Sequence, residues 1–419
     1  MKVLHISFAD NGGAGTAALR IHLCLLSDKS LNIDSKMLVS SKKTEYDSIL
    51  VKNNWKFYPK LRGLIGSKIS LLQKSVNPVI HSLSLLPGNL HKIINNSDAD
   101  IVNLHWVQNE MISIEDIGKI KKPIFWNMHD TWAFCGSEHY PLGFSDTRYI
   151  NGYLKDNRNL NDKFFDLDRW CWERKLRSWK NDITIICPSN WLAKCAKMSP
   201  IAKNWDINVI PNPINTEIFK PYSKSKSKEL FKIPEAKNVI LFGALGGRKD
   251  YRKGFDLLEK ALHHISSDIN DSVLVIFGES NKNLAHFNIG IPVHSVGTIK
   301  EQILMAKLYS AADLMIVPSR MEAFGQTASE AASCGVPVVA FNCSGLKDII
   351  DNDQTGYLID PYKEEMMGEA IKKLIFSKSI RELFGKNARK KVIKEFSFER
   401  ISNLYKEKYF SKLNMIHPS

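Results

Sequence analysis

The sequence has no long apolar run and no paired cysteines. None of its 419 residues lies in a stretch of about 18 apolar residues, so we expect no helix that spans a bilayer. The first apolar run stops at Asp10, before a glycine-rich turn, and does not resemble a secretory signal. Seven cysteines are scattered without a C-x-x-C pair, which is typical of reduced thiols. We therefore expect a cytoplasmic protein.

Acidic residues are missing from one long stretch. Between Asp47 and Asp98 there is no acid, while Trp55, Phe57 and Tyr58 interleave with basic residues and the whole chain has a formal charge of +14. The basic residues are Lys52, Lys56, Lys60, Arg62, Lys68, Lys74 and Lys92. This region could contact an anionic membrane, a phosphorylated substrate or a nucleic acid, or it could be an ordinary solvated surface.

Signatures of a dinucleotide site and of a metal site are also missing. The turn Asn11–Thr16 does not read G-x-G-x-x-G, and no ribose-binding acid follows the second strand. His139, His263 and His264 have no metal-ligand spacing to cysteines or acids, so we expect no metal. The small residues of the turn, Gly13 among them, still suit an anion at a helix start.

Short apolar runs alternate with helix-period segments twice along the chain. The runs are continuous in Val, Ile and Leu, which is typical of parallel strands buried on both faces. The predicted strands are 3–8, 35–39, 101–106, 124–128, 183–187 and 209–210, and then 239–243, 273–277, 293–296, 314–317, 338–341 and 356–359. This pattern predicts an α/β fold of two doubly wound, Rossmann-like domains facing a cleft, with ligands at the carboxyl ends of the strands.

The domain boundary is predicted at the two prolines of Pro211–Asn215, which restrict the backbone. We expect an acceptor-binding domain over residues 1–213 and a nucleotide-sugar domain over residues 214–396. Residues 397–419 are expected to form a helix that packs back on the first domain.

A glycine-rich loop with crowded cations follows strand 239–243. Arg248, Arg252 and Lys253 lie just before the helix that begins near Phe255. Fixed cations beside a helix start suit a diphosphate, because Arg can contact two oxygens at once and Lys supplies a point charge. A basic solvent loop is the alternative.

Two glutamates eight positions apart follow strand 314–317. Glu322 is predicted in the loop and Glu330 on the next helix. Between them, Phe324, Gly325, Gln326 and Thr327 offer backbone N–H groups at the helix start. Such a segment can hold sugar hydroxyls, phosphate and ribose, although two surface acids on a helix are the simpler alternative.

The Glu322–Glu330 segment resembles glycosyltransferase family 4, a retaining family with the GT-B fold. The segment Ala331–Val339, with its Gly-Val-Pro-Val-Val ending, and the Arg-Lys-Gly-Phe loop carry the same resemblance over most of the chain. The middle segment, from His129-Asp-Thr-Trp to Pro188-Ser-Asn-Trp, is similar to the branch that builds colanic-acid-type surface polysaccharides. That branch often has more cysteines after His129-Asp130 than this chain has.

The resemblance implies a role for each site residue. Glu330 would bind the ribose, and Glu322 the hydroxyls of the transferred sugar. Lys253, with Arg252 as the better match and Arg248 as a further candidate, would neutralise the diphosphate.

The remaining contacts also follow from the resemblance. Gly13 would approach the same phosphates, and His129 the donor sugar near the reacting carbon. The backbone near Gly278 and Ile299 would contact the base. The backbone N–H groups of Phe324–Thr327 would contact the phosphates.

The implied activity is metal-independent, retaining transfer of a hexose-type sugar from a nucleotide diphosphate, with no cofactor. UDP is the expected nucleotide and GDP the next. The acceptor would be a glycan hydroxyl, on a lipid-linked oligosaccharide of surface polysaccharide synthesis, at a membrane contacted through the Lys52–Lys92 region. A GT-B phosphorylase or a nucleotide-sugar epimerase is the alternative, and a basic nucleic-acid-binding protein a remote one; we expect no nucleic-acid partner.

Overall fold

The computed structural model describes residues 1–51, 58–235, 237–243, 250–278 and 289–416. The chain divides into two compact units. Unit 1 comprises Met1–Asn212 with Ile401–Ser419, and unit 2 comprises Pro213–Arg400. The division falls one residue before the boundary expected from the prolines. Among the described helices, none has the length and apolarity needed to cross a bilayer.

Unit 1 is built on a seven-stranded parallel sheet in the order β3-β2-β1-β5-β6-β8-β9. Its strands are β1 (Lys2–Ala9), β2 (Asp34–Ser41), β3 (Ile49–Val51), β5 (Ile101–Leu104), β6 (Ile124–Asn127), β8 (Ile183–Cys187) and β9 (Asp206–Val209). A separate antiparallel ribbon joins β4 (Gln73–Lys74) to β7 (Lys163–Phe164).

The helices of unit 1 connect these parallel strands. They are α1 (Gly12–Ser27), α2 (Tyr58–Ser70), α3 (Leu90–Asn95), α4 (Ile114–Ile117), α5 (Arg148–Asn151), α6 (Leu167–Ser178) and α7 (Asn190–Met198). Asp166 and Ser189 cap α6 and α7 with side-chain oxygens that accept backbone N–H groups of the first turn.

Unit 2 is built on a six-stranded parallel sheet in the order β12-β11-β10-β13-β14-β15. Its strands are β10 (Asn238–Gly243), β11 (Ser272–Phe277), β12 (Val293–Gly297), β13 (Leu314–Val317), β14 (Val338–Phe341) and β15 (Gly356–Ile359). Its helices are α8 (Lys224–Leu230), α9 (Phe255–Ile265), α10 (Gln302–Ala311), α11 (Gln326–Ser333), α12 (Leu346–Ile349), α13 (Glu364–Phe376) and α14 (Lys378–Phe396).

Both faces of the second sheet are buried. Val239 and Leu241 of β10 lie in one core cluster, and the intervening Ile240 and Phe242 lie in the other. A strand covered on both faces is mostly apolar, since a polar side chain there loses its water and needs a buried partner. This is why the strands read as continuous apolar runs, and the predicted α/β fold with two such sheets is confirmed.

The last helix, α15 (Phe398–Ile416), belongs to unit 1 from Ile401 onward. The hydroxyl of its buried Tyr405 donates to Asn127 Oδ1 at the end of β6, and Tyr409 bonds to Asn103 of β5. The ring of Tyr409 also packs edge-on against Phe125, with centroids 4.8 Å apart.

Three local features differ from the sequence expectations. The strand predicted at 209–210 is β9 at Asp206–Val209, and β3 and the β4–β7 ribbon were not predicted. The ribbon strands have two residues each, too short to show an alternating pattern. The helix expected over residues 397–419 is α15, which follows α14 directly after Ser397.

The Tyr405–Asn127 contact predicts the cost of a small substitution. Tyr405→Phe should lower the free energy of unfolding by about 1–3 kcal/mol, because it leaves a buried amide oxygen without its donor. Urea denaturation measures this, with Tyr46→Phe, whose side chain is 43% exposed, as the matched control. Equal losses in the two variants would contradict the assignment.

Candidate active site

Each sheet reverses its strand order at one point, and these points locate the candidate site residues. The reversal lies between β1 and β5 in unit 1 and between β10 and β13 in unit 2. Ligands of open parallel sheets bind outside the carboxyl ends of the strands at such points, because the loops there diverge and leave a crevice. In each unit, most of the predicted residues follow these strands or a neighbouring one.

The glycines after β1 serve different purposes. Gly12 has a φ of +77°, and a Cβ on Gly15 would lie 2.6 Å from the carbonyl oxygen of Ala9. Gly13 has neither constraint, since a Cβ there would meet nothing within 4 Å among the described residues. The local fold therefore explains Gly12 and Gly15, whereas no described residue lies where a side chain on Gly13 would be.

His129 ends a row of stacked histidines. His105 Nε2 lies 2.9 Å from His5 Nδ1, and its Nδ1 lies 3.1 Å from His129 Nε2. The rings stack with centroids 5.2 and 5.3 Å apart. His5 and His105 are buried, while His129 is partly exposed at the end of β6 and is the member that a ligand can reach.

Burial keeps this row neutral. It lowers the pKa of His129 to about 4 against the opposing charge of Asp130. The pKa values of His5 and His105 lie well below the ordinary value, through burial and then through neighbouring histidines. Each contact between neutral rings has one proton, so fixing the tautomer of one ring fixes the others. His129 can thus present one defined nitrogen to a ligand without carrying charge.

Asp130 structures the loop beside His129. Its carboxylate lies 2.5 Å from His139 Nδ1 and accepts the indole N–H of Trp106 at 3.1 Å and the backbone N–H of Trp132 at 3.0 Å. Burial raises the pKa of Asp130, but His139 more than offsets this and the pKa lies below its ordinary value.

In unit 2, Glu322 and Lys253 form an ion pair. Lys253 Nζ donates to Glu322 Oε1 at 2.6 Å, and the same oxygen accepts the hydroxyl of Ser319 at 2.9 Å. The backbone N–H of Glu322 donates to Ser344 Oγ at 2.9 Å. The two predicted residues, 69 positions apart, are thus held together at the carboxyl edge of the sheet.

The electrostatics of this pair favour the charged form of Glu322. Burial raises its pKa, but Lys253, Arg252 and Ser319 more than offset this, and the pKa lies below its ordinary value. Arg252 itself is paired with Asp250, with Nη2 2.6 Å from Oδ2. An incoming diphosphate would therefore compete with carboxylates for both cations.

Glycines before two helices allow this arrangement. Gly254, before α9, has a φ of +65°, and a Cβ there would lie 1.9 Å from the carbonyl oxygen of Pro318. Gly325, before α11, has a φ of +109°, and a Cβ there would lie 2.7 Å from Leu346 Cδ2. Only glycine fits both the left-handed backbone and the close approach.

The start of α11 carries the other predicted residues of the glutamate segment. The Phe324 side chain is buried against Phe396, so only its backbone can contact a ligand. Gln326 and Thr327 are half-buried in the first turn. One turn later, Glu330 is buried and its Oε2 accepts the hydroxyl of Tyr309 at 2.8 Å.

The predicted base contacts lie at the ends of β11 and β12. Gly278 has a φ of +87°, and its N–H donates to the carbonyl of Gly297 at 2.8 Å. Ile299 is half-buried against the core of unit 2. Arg248 lies outside the described residues, so Arg252 is the arginine whose surroundings are known.

Sequence analysis missed several partners of these residues. His5 and His105 behind His129, Tyr309 beside Glu330, and Ser319 and Ser344 beside Glu322 were not singled out. A histidine at the carboxyl end of β5 was the one available signal, since the residues after such strands form ligand sites.

Solved structures share this fold. Sucrose-phosphate synthase from Thermosynechococcus elongatus has a TM-score of 0.68 at 16% identity, covering 99% of this chain and 100% of that one. Anabaena HepE in complex with UDP-glucose has a TM-score of 0.64 at 15% identity, covering 98% and 100%. Two Rossmann-like units with parallel sheets define the GT-B fold, and the predicted fold class is confirmed.

A family model covers much of unit 2. Residues 223–391 match the family model of the glycosyl transferases group 1. A D-inositol 3-phosphate glycosyltransferase from Xylanimonas cellulosilytica is 31% identical over 169 residues, which are 37% of this chain and 39% of that one. The matches to the first three curated relatives span between 39% and 51% of their lengths. The surface-polysaccharide branch stays a prediction.

The neutral histidine row predicts a pH dependence of stability. A histidine with a lowered pKa in the folded state binds its proton more readily when unfolded. The free energy of unfolding should therefore fall as the pH drops from about 6.5, with each such histidine contributing up to about 1.4 kcal/mol per pH unit. For His129 this continues to a pH of about 4.

Urea denaturation between pH 7 and pH 4.5 measures this dependence. His129→Gln should reduce the change in the free energy of unfolding with pH. The control His263→Gln, on the exposed face of α9, should leave the contribution of His129 to that change intact. An unchanged pH dependence in His129→Gln would show that this imidazole is not held neutral.

Proposed function

We propose that this protein transfers a hexose-type sugar from a nucleotide diphosphate sugar to a glycan hydroxyl, with retention and without a metal at the donor. The observation that carries the proposal is the Lys253–Glu322 pair, with Arg252 adjacent, at the strand-order reversal of unit 2. UDP is the proposed nucleotide and GDP the next. HepE bound to UDP-glucose supports a nucleotide-sugar donor, as does the group 1 match.

Each residue of unit 2 has a proposed task. Glu330, oriented by Tyr309, accepts the ribose hydroxyls, since a carboxylate can bind a vicinal diol through both oxygens. Backbone N–H groups of Phe324–Thr327 face the diphosphate at the start of α11. Lys253 and Arg252 stabilise the negative charge that develops as the nucleotide diphosphate leaves.

Glu322 and His129 are proposed to contact the transferred sugar. Glu322 remains ionised and accepts its hydroxyls, while neutral His129 offers a hydrogen bond without charge. The departing phosphate takes the proton of the acceptor hydroxyl on the same face, which retains the anomeric configuration. Gly13 leaves room for the phosphates beside its backbone.

The acceptor is proposed to be a lipid-linked oligosaccharide of surface polysaccharide synthesis, reached at an anionic membrane on the cytoplasmic side. An exposed amphipathic surface of residues 61–74 and 163–165 supports this. The β4–β7 ribbon pairs Gln73 with Phe164, and the N–H of Phe165 donates to the carbonyl of Leu72 at 3.1 Å. The ribbon thereby brings exposed Leu71 and Leu72 beside exposed Phe164 and Phe165, and the adjoining helix α2 adds three more exposed apolar side chains: Leu61, Leu64 and Ile65.

Basic residues accompany this amphipathic surface. Lys68 and Lys74 are exposed on it, with Lys163 directly opposite Lys74 in the ribbon. Arg62 is occupied structurally, because its guanidinium donates to backbone carbonyls of Glu110 and Pro87. Lys52, Trp55, Lys56 and Phe57 lie outside the described residues. Exposed apolar groups flanked by lysines are typical of interfacial membrane binding.

Nucleotide binding tests the proposed donor site. A ligand at about one hundred times its Kd adds about 2.7 kcal/mol to the native state, so UDP and UDP-sugars should raise the Tm where ADP and CMP do not. Glu330→Gln should weaken the response to uridine, UMP and UDP alike, since all contain ribose. Lys253→Met should weaken only the response to the diphosphates.

Controls decide what a negative result means. Glu365→Gln, on the exposed face of α13, should respond as the wild type does. Release of UDP from UDP-sugar that requires a glycan acceptor identifies transfer, whereas acceptor-free conversion or a need for inorganic phosphate identifies an epimerase or a phosphorylase. Equal stabilisation by all nucleotides in wild type and both variants would refute the proposed donor site.

Liposome flotation tests the membrane proposal. The wild type should bind vesicles that contain anionic lipid at least tenfold more tightly than neutral vesicles. The reason is that each lysine near an anionic surface contributes about 1 kcal/mol to binding. Replacing Leu71, Leu72 and Phe165 by Ser should abolish binding. Replacing Phe376 and Leu383 of unit 2, which are also exposed, should not. Equal binding by the two variants would contradict this surface.

A further inference from the structure

Three side chains of unit 1 that the proposed transfer does not use meet at one point. They are His81, which follows the ribbon strand β4, Glu138 in the loop after β6, and Asp168 in the first turn of α6. One ligand atom from each lies within 4.8 Å of the others, and His81 Nδ1 is 3.1 Å from Asp168 Oδ1.

The two carboxylates of this cluster are buried together, at 4% exposure for each residue. Glu138 Oε1 takes the hydroxyl of Tyr153, but Oε2 is buried without a hydrogen-bond partner among the described residues. A Cβ on Gly136 would lie 2.7 Å from this Oε2 and 2.8 Å from Asp168 Cβ, so Oε2 lies beside Asp168.

The nearby lysine and arginine are committed to other groups. Buried Lys175 donates to the backbone carbonyls of Cys135 and Gly136 at 3.1 and 2.6 Å, and Arg148 pairs with Asp166. Two buried carboxylates this close need a shared proton, a protonated His81 or a bound cation, because their repulsion is large where water is excluded.

We propose that His81, Glu138 and Asp168 bind a divalent transition-metal ion of the zinc class. Imidazole with two carboxylates is a donor set that zinc accepts, and a fourth position can hold water. Bonds of about 2.1 Å at tetrahedral angles separate ligand atoms by roughly 3.4 Å. The 3.1 Å between His81 and Asp168 is close to this, and small side-chain rotations bring Glu138 into range.

The groups behind the cluster suit metal ligands. His81 Nε2 lies 3.3 Å from the carbonyl oxygen of Asn77, the usual partner of a histidine whose other nitrogen binds a metal. Gln73 Nε2 donates to Asp168 Oδ2 at 2.5 Å, and the hydroxyl of Ser137 donates to Oδ1. These contacts orient the carboxylate and leave Glu138 Oε2 for the ion.

The ion would join three segments distant in sequence. Gln73 also accepts the backbone N–H groups of Leu167 and Asp168, so the cluster lies where the ribbon meets α6. The loop that supplies Glu138 begins at His129 and Asp130. A metal at this point would stabilise unit 1 and fix that loop, and would take no part in the transfer chemistry, so this inference does not depend on the proposed function.

Metal content and chelation test the site in the full chain without a histidine tag. Purified protein should contain about one equivalent of zinc. EDTA followed by gel filtration should lower the Tm by about 5–10 °C, and Zn²⁺ should restore it while Mg²⁺ and Ca²⁺ do not. The proposal would be overturned by two results together. One is a zinc content below about 0.1 equivalent after growth with added zinc, on the order of a tenfold shortfall, and the other is a Tm that neither EDTA nor Zn²⁺ changes.

The variant Glu138→Gln separates a metal from a shared proton by the sign of its effect. If zinc is bound, the variant should lose at least tenfold in zinc affinity and melt lower. If the carboxyls share a proton, the amide can donate to Asp168 in its place, and the variant should melt as high as the wild type or higher, which would refute the site. Glu110→Gln is the matched control, because this buried glutamate accepts two backbone N–H groups elsewhere and should keep the zinc.

Discussion

Burial of both faces of each parallel sheet is the constraint on which the rest of this structure depends. Strands such as β8 and β13 have every residue buried, so they cannot carry chemistry along their length. Polar groups that can meet a ligand lie at the strand ends, where the loops give access, whereas polar groups inside the strands, such as His5 and Asn103, are paired within the protein. The proposed phosphate and sugar contacts accordingly follow β1, β6, β10 and β13, the predicted base contacts follow β11 and β12, and Glu330 lies on a helix that begins at the same edge.

The candidate site is balanced in charge before any donor arrives. Lys253 is held by Glu322 and Arg252 by Asp250, while the histidine row avoids charge altogether. Side chains already held by short contacts lose less conformational entropy on binding a diphosphate than mobile surface lysines would. Part of that entropy is therefore lost during folding and not on binding.

The sequence reveals those parts of the fold and site that are local along the chain. Glu322 and Glu330 could be paired from their spacing, because one loop and one helix connect them. The contact between His5 and His105 could not, since 100 residues separate them and only the register of β1 against β5 brings them together. The contact between His81 and Asp168 could not be predicted either, because 87 residues separate them. The ribbon was missed because two residues per strand show no period.

The position of α15 has a consequence for synthesis on the ribosome. Unit 2 is one continuous segment, whereas unit 1 needs residues 401 onward to cover Asn103 and Asn127. The first 212 residues therefore leave the exit tunnel before α15 can cover the side-chain amides of Asn103 and Asn127. Nearly 190 further residues must be synthesised before that helix is available. Unit 2, although translated later, can complete its fold first.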